Sequence, residues 1–395
     1  MAQNKLRPEQ TESLKYMKQL DGLRALAIAT VLYTHYSPAS YHLFNIDWGA
    51  YGVRLFFVLS GFLITGILLR CRQYIQSGKQ TPLTILRQFY IRRCLRIFPI
   101  YYITLAIGLL LTIPHLRESI VWHLLYLSNV YFCIQNDWFG FLGPFWSLAV
   151  EEQFYIFWPW LVIFLPKKAL LPAIITLILG GPIFRLVGVI FDFNLVLLYG
   201  STPAVIDSLG FGALLAYLKY REKRYSLFPY LHNRNPETSS STQNIVKIYL
   251  SIGLPLLLFI LFLNRIQYSQ IMDVVFRDTG LALIFTWLVA GAAKGFSGIF
   301  GKILEFPAIV YLGKISYGMY IVHLFVAYSV SNALTTIFGT QVWNNNRWIL
   351  VGFISTIITI ALATISWHFL EKPINDLKRF FPYTPKTSKA TASET

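Results

Sequence analysis

Long apolar runs separated by short polar segments dominate the chain. A helix needs roughly 17–25 residues to cross the hydrocarbon of a bilayer. Ten runs approach that length, at 20–36, 49–69, 97–114, 146–165, 169–190, 202–218, 246–264, 279–293, 307–335 and 348–370. The stretch 120–132 is shorter and amphipathic, and predicts an interfacial or re-entrant piece on the outer side. The pattern predicts an all-α, polytopic membrane helical bundle of about ten transmembrane helices.

The distribution of basic residues predicts the orientation of this bundle. With the N-terminus in the cytoplasm, 26 of the 34 Lys and Arg residues fall in cytoplasmic segments and four in outer segments. Cytoplasmic loops of membrane proteins carry an excess of Lys and Arg. We expect both termini to be cytoplasmic, with an N-terminal segment at 1–19, one membrane domain at 20–375, and a tail at 376–395 that is disordered towards its end.

Composition supports this class and excludes others. Only 13% of the 395 residues are charged and 55% are hydrophobic, whereas soluble domains are about 25% charged. The net charge of +16 is spread over many loops and forms no aromatic-interleaved patch, so nucleic acid is not expected as a partner. Three cysteines without CxxC spacing predict neither a disulfide framework nor a metal site.

Ionisable residues inside predicted spans are candidates for function, because a bilayer disfavours them. Arg24 and His35 are eleven residues apart on the first helix. This spacing places them on nearly the same face, ~16 Å apart along the axis. Arg24 is then expected near the cytoplasmic side and His35 near the outer side. An arginine that snorkels to the headgroups and a histidine that caps the helix would explain the pattern equally well.

Two adjacent carboxylates, Glu151 and Glu152, begin the fourth span at the predicted depth of His35. Acidic residues favour helix N-termini for reasons unrelated to catalysis. A carboxylate close to a histidine can also set the tautomer of the imidazole and support its protonated form. The shared depth of the three residues favours the second interpretation.

Polar residues also occur in the later spans. Steps of three place Tyr317, Tyr320 and His323 on one broad face of the ninth span. Aromatic-belt tyrosines and interhelical hydrogen bonds are the alternative explanation. Asp207 and Arg185 lie in the outer halves of their spans, and the sequence leaves their roles open.

A basic cluster at 92–96, with the sequence RRCLR, precedes the third span on the predicted inner side. Such clusters are usually positive-inside anchors. Arginine forks also match phosphate oxygens, which favours a phosphate-binding site.

Six blocks of sequence together resemble the acyltransferase-3 family of integral membrane O-acyltransferases. Arg24 and His35 match the R-x10-H pattern of that family, and Arg93 and Arg96 match its R-x-x-R pattern. The remaining blocks are GVRLFFVLSGFLI at 52–64, WSLAVEEQFY at 146–155, GKISYGMYIVH at 313–323 and EKP at 371–373. Two positions depart from the family: Arg54 stands where many members have Asp, and the block PAVI at 203–206, directly before Asp207, lacks the basic residue that many members carry there.

The resemblance implies transfer of an acyl group, acetyl by preference, from cytoplasmic acyl-CoA to a hydroxyl of an extracytoplasmic glycan. It implies a bacterial-type cytoplasmic (inner) membrane, with acyl-CoA as donor substrate and no permanently bound cofactor or metal. His35 is expected to act as general base and Glu151 to orient it. Arg24, Arg93 and Arg96 are expected to bind the donor. Supporting roles are expected for Ser147, Glu152, Tyr317, Tyr320 and His323.

Alternatives remain open from the sequence. His35 could first be acylated and then pass the group on, instead of acting as a base. A transporter or flippase could use the same buried charges as a proton relay. A polyprenyl-linked glycosyltransferase could use the outer carboxylates, although the R-x10-H pattern argues against it. Neither the glycan acceptor nor the oligomeric state can be read from the chain.

Overall fold

The computed structural model describes residues 16–226, 270–339 and 347–384, which are helical and contain no strand. The longer helices are α1 (Lys18–Tyr36), α2 (Trp48–Gln76), α3 (Pro82–Leu110), α6 (Phe145–Phe164), α7 (Lys167–Ile190), α9 (Thr202–Ser226), α10 (Gln270–Lys294), α12 (Pro307–Phe338) and α13 (Arg347–Ser366). The shorter helices are α4 (Leu116–Leu124), α5 (Ser128–Gln135), α8 (Leu195–Gly200), α11 (Gly298–Glu305) and α14 (Lys372–Asp376). A π-helical turn, Trp367–Glu371, joins α13 to α14, and a 3-10 turn, Leu377–Phe380, follows.

Within the described residues, seven helical stretches are long and apolar enough to cross a membrane. They are Trp48–Gln76, Pro82–Leu110, Lys167–Ile190, Leu195–Glu222, Val274–Lys294, Pro307–Ile337 and Trp348–Phe380. Each overlaps one of the ten predicted spans. The first and fourth predicted spans form helices α1 and α6, whose polar residues keep them out of this set. The seventh prediction, at 246–264, lies outside the described residues.

Helix α3 begins earlier than the sequence pattern indicates. The predicted span starts at residue 97, but the helix starts at Pro82, and the side chain of Thr81 accepts a hydrogen bond from the Thr84 amide at 3.2 Å. A Thr N-cap followed by Pro at the first helical position is a strong start signal. The basic cluster at 92–96 therefore lies within this helix, not in a loop before it. The predicted interfacial piece at 120–132 falls on the two short helices α4 and α5.

Close backbone contacts between α2 and α9 hold the centre of the bundle together. A β-carbon added at Gly61 of α2 would overlap the backbone oxygen of Leu209, and one added at Gly212 of α9 would overlap that of Val58. Small residues let membrane helices approach this closely. Helix α1 packs against both α2 and α12, which positions its polar face inside the bundle.

Replacement of Gly61 by alanine is expected to destabilise the protein by about 1–3 kcal/mol, because the added methyl group must push α2 and α9 apart. Gly66 lies on the same helix with open space around it, so Gly66→Ala is the matched control and is expected to be neutral or slightly stabilising. Thermal unfolding of the purified protein in detergent measures both effects. Equal melting temperatures for the two variants would contradict the close contact at Gly61.

The segment after α13 folds back onto α3. We call residues 372–384 the C-terminal segment. Arg92 Nη1 donates hydrogen bonds to the carbonyl oxygens of Lys378 at 2.7 Å and Phe381 at 3.1 Å, and the guanidinium lies 4.9 Å from the ring centre of Tyr383. Burial raises the pKa of Tyr383 to about 12. Residues 376–384 of the predicted cytoplasmic tail are thus folded, and 385–395 lie outside the described residues.

Candidate active site

A central cavity opens between α1, α2, α3, α6 and α12, with about 680 Å³ of empty space including its mouth. Seven of the ten residues that the sequence analysis selected line it: Arg24, Arg93, Arg96, Ser147, Glu151, Tyr317 and Tyr320. These residues come from four helices that are far apart in the chain. Their convergence supports the view that they form one site.

The basic side of the central cavity carries three arginines that differ in their protein contacts. Arg24 Nη1 is paired with Asp21 at 2.8 Å. Arg93 stacks against aromatic rings, with its guanidinium 5.1 Å from the ring centre of Tyr155. In the part of the chain that the structure describes, neither Arg93 nor Arg96 donates a hydrogen bond to a protein acceptor. The donors of these two guanidinium groups are therefore available to an anionic ligand.

The two adjacent glutamates have different surroundings. Glu151 lines the central cavity, where it accepts hydrogen bonds from the hydroxyls of Ser60 at 2.7 Å and Tyr155 at 3.2 Å. Glu152 is not part of the cavity lining, is 8% exposed, and lies among the tyrosines of α3, α12 and the turn before α5. Consecutive helical residues point about 100° apart, and here Glu151 points into the cavity while Glu152 does not. Ser60 and Tyr155 were not among the candidates selected from sequence.

Beyond Tyr320, His35 of α1 meets His323 of α12. His35 Nδ1 lies 2.7 Å from His323 Nε2, and the two rings are stacked with centres 5.0 Å apart. His323 Nδ1 lies 2.6 Å from the backbone oxygen of Tyr320. His323 is fully buried, whereas His35 is exposed. The sequence analysis had paired His35 with Glu151, but the structure places no hydrogen bond between those two residues.

The order of these contacts determines which nitrogen carries each proton in a neutral pair. A carbonyl oxygen only accepts, so His323 Nδ1 must donate to Tyr320, which leaves Nε2 of that ring as an acceptor. His35 Nδ1 must then donate to His323 Nε2. His35 Nε2 is left with its lone pair, and it makes no hydrogen bond within the described residues. That atom is a base oriented through two consecutive hydrogen bonds.

The hydroxyl groups near the histidines already have acceptors. Ser147 Oγ and the Tyr320 hydroxyl lie 2.7 Å apart, and both reach the carbonyl oxygen of Pro144. The Tyr317 hydroxyl donates to the carbonyl of Ile97 at 3.1 Å. These tyrosines therefore face the interior of the bundle and not a lipid interface. Any of the three hydroxyls would have to leave its acceptor in order to donate to a substrate.

Two buried ion pairs lie outside the central cavity. Arg185 Nη2 contacts Asp207 Oδ2 at 2.8 Å, and both side chains are fully buried. Arg54, to which the sequence analysis gave no role, pairs with Asp278 of α10. None of the four residues is part of the cavity lining. Asp278 was missed because it lies just before the predicted start of its span.

Among the residues that the structure describes, no cluster of three or more His, Cys, Asp or Glu side chains is arranged to hold a metal ion.

Comparison with known proteins identifies the family. A family model described as an acyltransferase domain, of the acyltransferase-3 type, matches residues 17–368. The peptidoglycan O-acetyltransferase OatA of Listeria monocytogenes is 30% identical over 386 residues, which cover 92% of this chain and 56% of the relative. A candidate peptidoglycan O-acetyltransferase of Bacillus subtilis, YrhL, is 30% identical with the same coverage. A candidate O-acetyltransferase of Staphylococcus aureus is 29% identical over 92% of this chain and 58% of the relative.

The chain thus spans a little over half the length of these curated relatives. No solved structure matches it. The family match covers α1 through α13 and the first two residues of the turn after it, and so includes the histidine pair and every helix that lines the central cavity. The resemblance noted in the sequence is confirmed: the chain is a multi-pass membrane protein and belongs to the acyltransferase-3 family.

Proposed function

We propose that the protein moves an acetyl group from cytoplasmic acyl-CoA to a hydroxyl of a cell-wall glycan on the outer side of the bacterial cytoplasmic (inner) membrane. The proposal includes ten spans, with both termini in the cytoplasm and one membrane domain over 20–375. Peptidoglycan is the proposed acceptor, because two of the relatives carry that substrate in their names.

One observation carries the proposal. The central cavity has two guanidinium groups without protein acceptors, Arg93 and Arg96, and it extends to Tyr320, behind which lies the oriented base of His35. A donor with phosphates at one end and a thioester at the other matches this arrangement, in which the two guanidinium groups lie on one side and the His35 base on the other. Arginine binds phosphate through paired N–H donors, and a long flexible arm suits a narrow channel between helices.

The proposed chemistry uses His35 Nε2. This atom takes the proton of the acceptor hydroxyl while the hydroxyl oxygen attacks the thioester carbonyl. A C–O bond forms, and the carbonyl π electrons move onto oxygen. When the tetrahedral intermediate collapses, the C–S bond breaks, and His35 returns the proton to the thiolate of CoA. Ser147 or Tyr320 would stabilise the oxyanion after exchanging its present acceptor for it.

Glu151 receives a different role from the one suggested by sequence alone. It contacts Ser60 and Tyr155 and not His35, so we propose that it shapes the donor channel beside Arg93. Orientation of His35 is assigned to His323. Glu152 and Tyr317 support the same wall. A covalent route, in which His35 Nε2 attacks the thioester itself, would use the same free lone pair. Trapping of protein that carries the labelled acetyl group distinguishes this route from direct transfer.

Acyl transfer is tested in membrane vesicles with acetyl-CoA labelled in the acetyl group. We expect Arg96→Ala and Arg93→Ala each to raise the KM for acetyl-CoA about 10-fold or more, because each removes charge-assisted hydrogen bonds. Arg87→Ala is the matched control: Arg87 lies on the same helix, is exposed and is absent from the cavity lining. Label should enter the glycan fraction only when the donor is supplied at the cytoplasmic face.

Two results would contradict the proposal. An unchanged KM in both cavity variants would remove the arginines from the donor site. Failure of the wild-type protein to bind acetyl-CoA would remove the donor itself and favour the transporter interpretation of the buried charges. Label that stays on the protein and is released by hydroxylamine would support the covalent route.

A further inference from the structure

The C-terminal segment adds a cation to the group of arginines on α3. The 3-10 turn that carries Lys378 packs against α3, where Arg92 Nη1 lies 2.7 Å from the Lys378 carbonyl oxygen. The positive charges of Arg92, Arg93 and Arg96 act on Lys378, and Lys378 forms no ion pair with a carboxylate of the described residues. The Lys378 side chain is only partly exposed, and its ammonium group donates a hydrogen bond to the side chain of Asn375.

This arrangement is held by backbone contacts and does not depend on the lysine side chain. Arg92 donates hydrogen bonds to the carbonyl oxygens of Lys378 and Phe381, and the ring of Tyr383 packs against its guanidinium. The guanidinium of Arg92 is therefore occupied by its contacts with the C-terminal segment. Arg93 and Arg96 keep free donors that line the central cavity. These contacts fix the Lys378 backbone against the stretch of α3 that carries Arg93 and Arg96.

Like charges held together at a partly buried place are unfavourable unless an anion neutralises them. The carboxylates whose charges act on Arg96 are Asp21 and Glu371, and those that act on Arg93 are Glu151 and Glu152. Asp21 is already paired with Arg24, and Glu371 accepts a hydrogen bond from Ser366 at 3.0 Å. Within the described residues, none of the three cations Arg93, Arg96 and Lys378 forms an ion pair with a carboxylate.

We propose that Lys378 is a phosphate-binding residue of the donor site and that the C-terminal segment forms one wall of that site. The ligand class is a phosphorylated nucleotide end, such as that of CoA, bound between α3 and the C-terminal segment. The inference rests on the proposed function, since it extends the same donor site, and it assigns a binding role to a part of the chain that the sequence pattern placed in a cytoplasmic tail.

The test measures binding of CoA, without transfer, to the full-length protein in lipid nanodiscs. Lys378→Met keeps the apolar stem and the backbone carbonyl that Arg92 holds, and removes the charge. We expect its Kd for CoA to rise about 10-fold and to depend less steeply on salt than in the wild type. Arg379→Met is the matched control, because Arg379 is the neighbouring cation, is exposed, and has its guanidinium against Phe380. Its Kd should stay unchanged.

Binding of dephospho-CoA, which lacks the 3′-phosphate, shows which phosphate group of CoA contacts Lys378. If the loss in Lys378→Met disappears with dephospho-CoA, Lys378 binds the 3′-phosphate; if the loss persists, Lys378 binds the diphosphate. Both results support the proposal. Equal weakening in Lys378→Met and Arg379→Met would overturn it, because a general charge effect would then be sufficient.

The failure of this inference can be told apart from failure of the proposed function. If Arg96→Ala weakens CoA binding and Lys378→Met does not, only the role of Lys378 is lost. If the wild-type protein does not bind CoA, the acyl-CoA donor is lost together with this inference. Lys378→Arg, which restores the charge, should recover most of the affinity, and melting temperatures identify any variant that is misfolded.

Discussion

His35→Ala is expected to lower the rate of acyl transfer by roughly 10²- to 10⁴-fold, the range that a positioned general base contributes. The reason is geometric. His35 Nε2 is the one nitrogen of the histidine pair that the hydrogen-bond order leaves with a free lone pair within the described residues. Transfer of labelled acetyl groups at equal protein levels measures the loss. Equal labelling in the wild type and in His35→Ala would make His35 structural.

His323 provides the matched test of orientation. His323→Leu removes the acceptor for His35 Nδ1 and the donor to the Tyr320 carbonyl, so both tautomers of His35 become available. His323→Gln carries an N–H donor and an oxygen acceptor on one amide group. We expect the glutamine variant to retain clearly more kcat than the leucine variant, with the donor KM little changed in both. Equal losses of kcat would indicate that His323 acts through packing alone.

Asp207→Ala is expected to destabilise the protein by about 3–5 kcal/mol, because it leaves a fully buried guanidinium without its counter-charge. Arg185 also donates to the carbonyl oxygens of Ala204 and Val275 and to the hydroxyl of Thr279. Those neutral acceptors do not replace the missing negative charge. Denaturant unfolding of the purified protein measures the loss in free energy, and labelled transfer at low temperature shows whether the folded fraction keeps its activity.

Two further variants separate a lost ion pair from a general defect. The double replacement Arg185→Met with Asp207→Leu removes both charges, and we expect it to recover much of the stability, since well-packed apolar residues often replace buried pairs at little cost. Glu118→Ala breaks a surface contact with His115. The His115 side chain is 52% exposed and the Glu118 side chain 72% exposed. That change should alter stability by less than about 1 kcal/mol. A similar loss in Asp207→Ala and Glu118→Ala would contradict the argument.

The buried ion pairs show where sequence reasoning reached its limit. Arg54 and Asp278 are 224 residues apart in the chain, and no periodicity links them. An isolated arginine in a span can be recognised as unusual, because a bilayer disfavours it. Its partner cannot be named until the packing of α2 against α10 is known. The same holds for Arg185 and Asp207, whose roles the sequence left open.

The site residues show a similar division. Steps of three along α12 correctly predicted that Tyr317, Tyr320 and His323 share a face, since helical geometry is local. The depth of His35 suggested Glu151 as its partner, because the sequence predicts both near the outer ends of their spans. Depth restricts a residue to one layer of the bundle but does not say which helix is its neighbour. Helix α1 packs against α12 and α2, and the structure places His323, not Glu151, within hydrogen-bond distance of His35.

The chain by itself determined the helical class, most of the apolar helices, the family, and seven of the residues that line the central cavity. These properties follow from composition, from local periodicity and from motifs that are continuous in the chain. Only the tertiary structure decided the partner of His35, the separate surroundings of Glu151 and Glu152, the two buried ion pairs, and the return of Lys378 to the arginines of α3. Each of these depends on which helices pack side by side, and the apolar surface of a membrane helix does not specify a partner, because lipid tails solvate it as well as another apolar helix does.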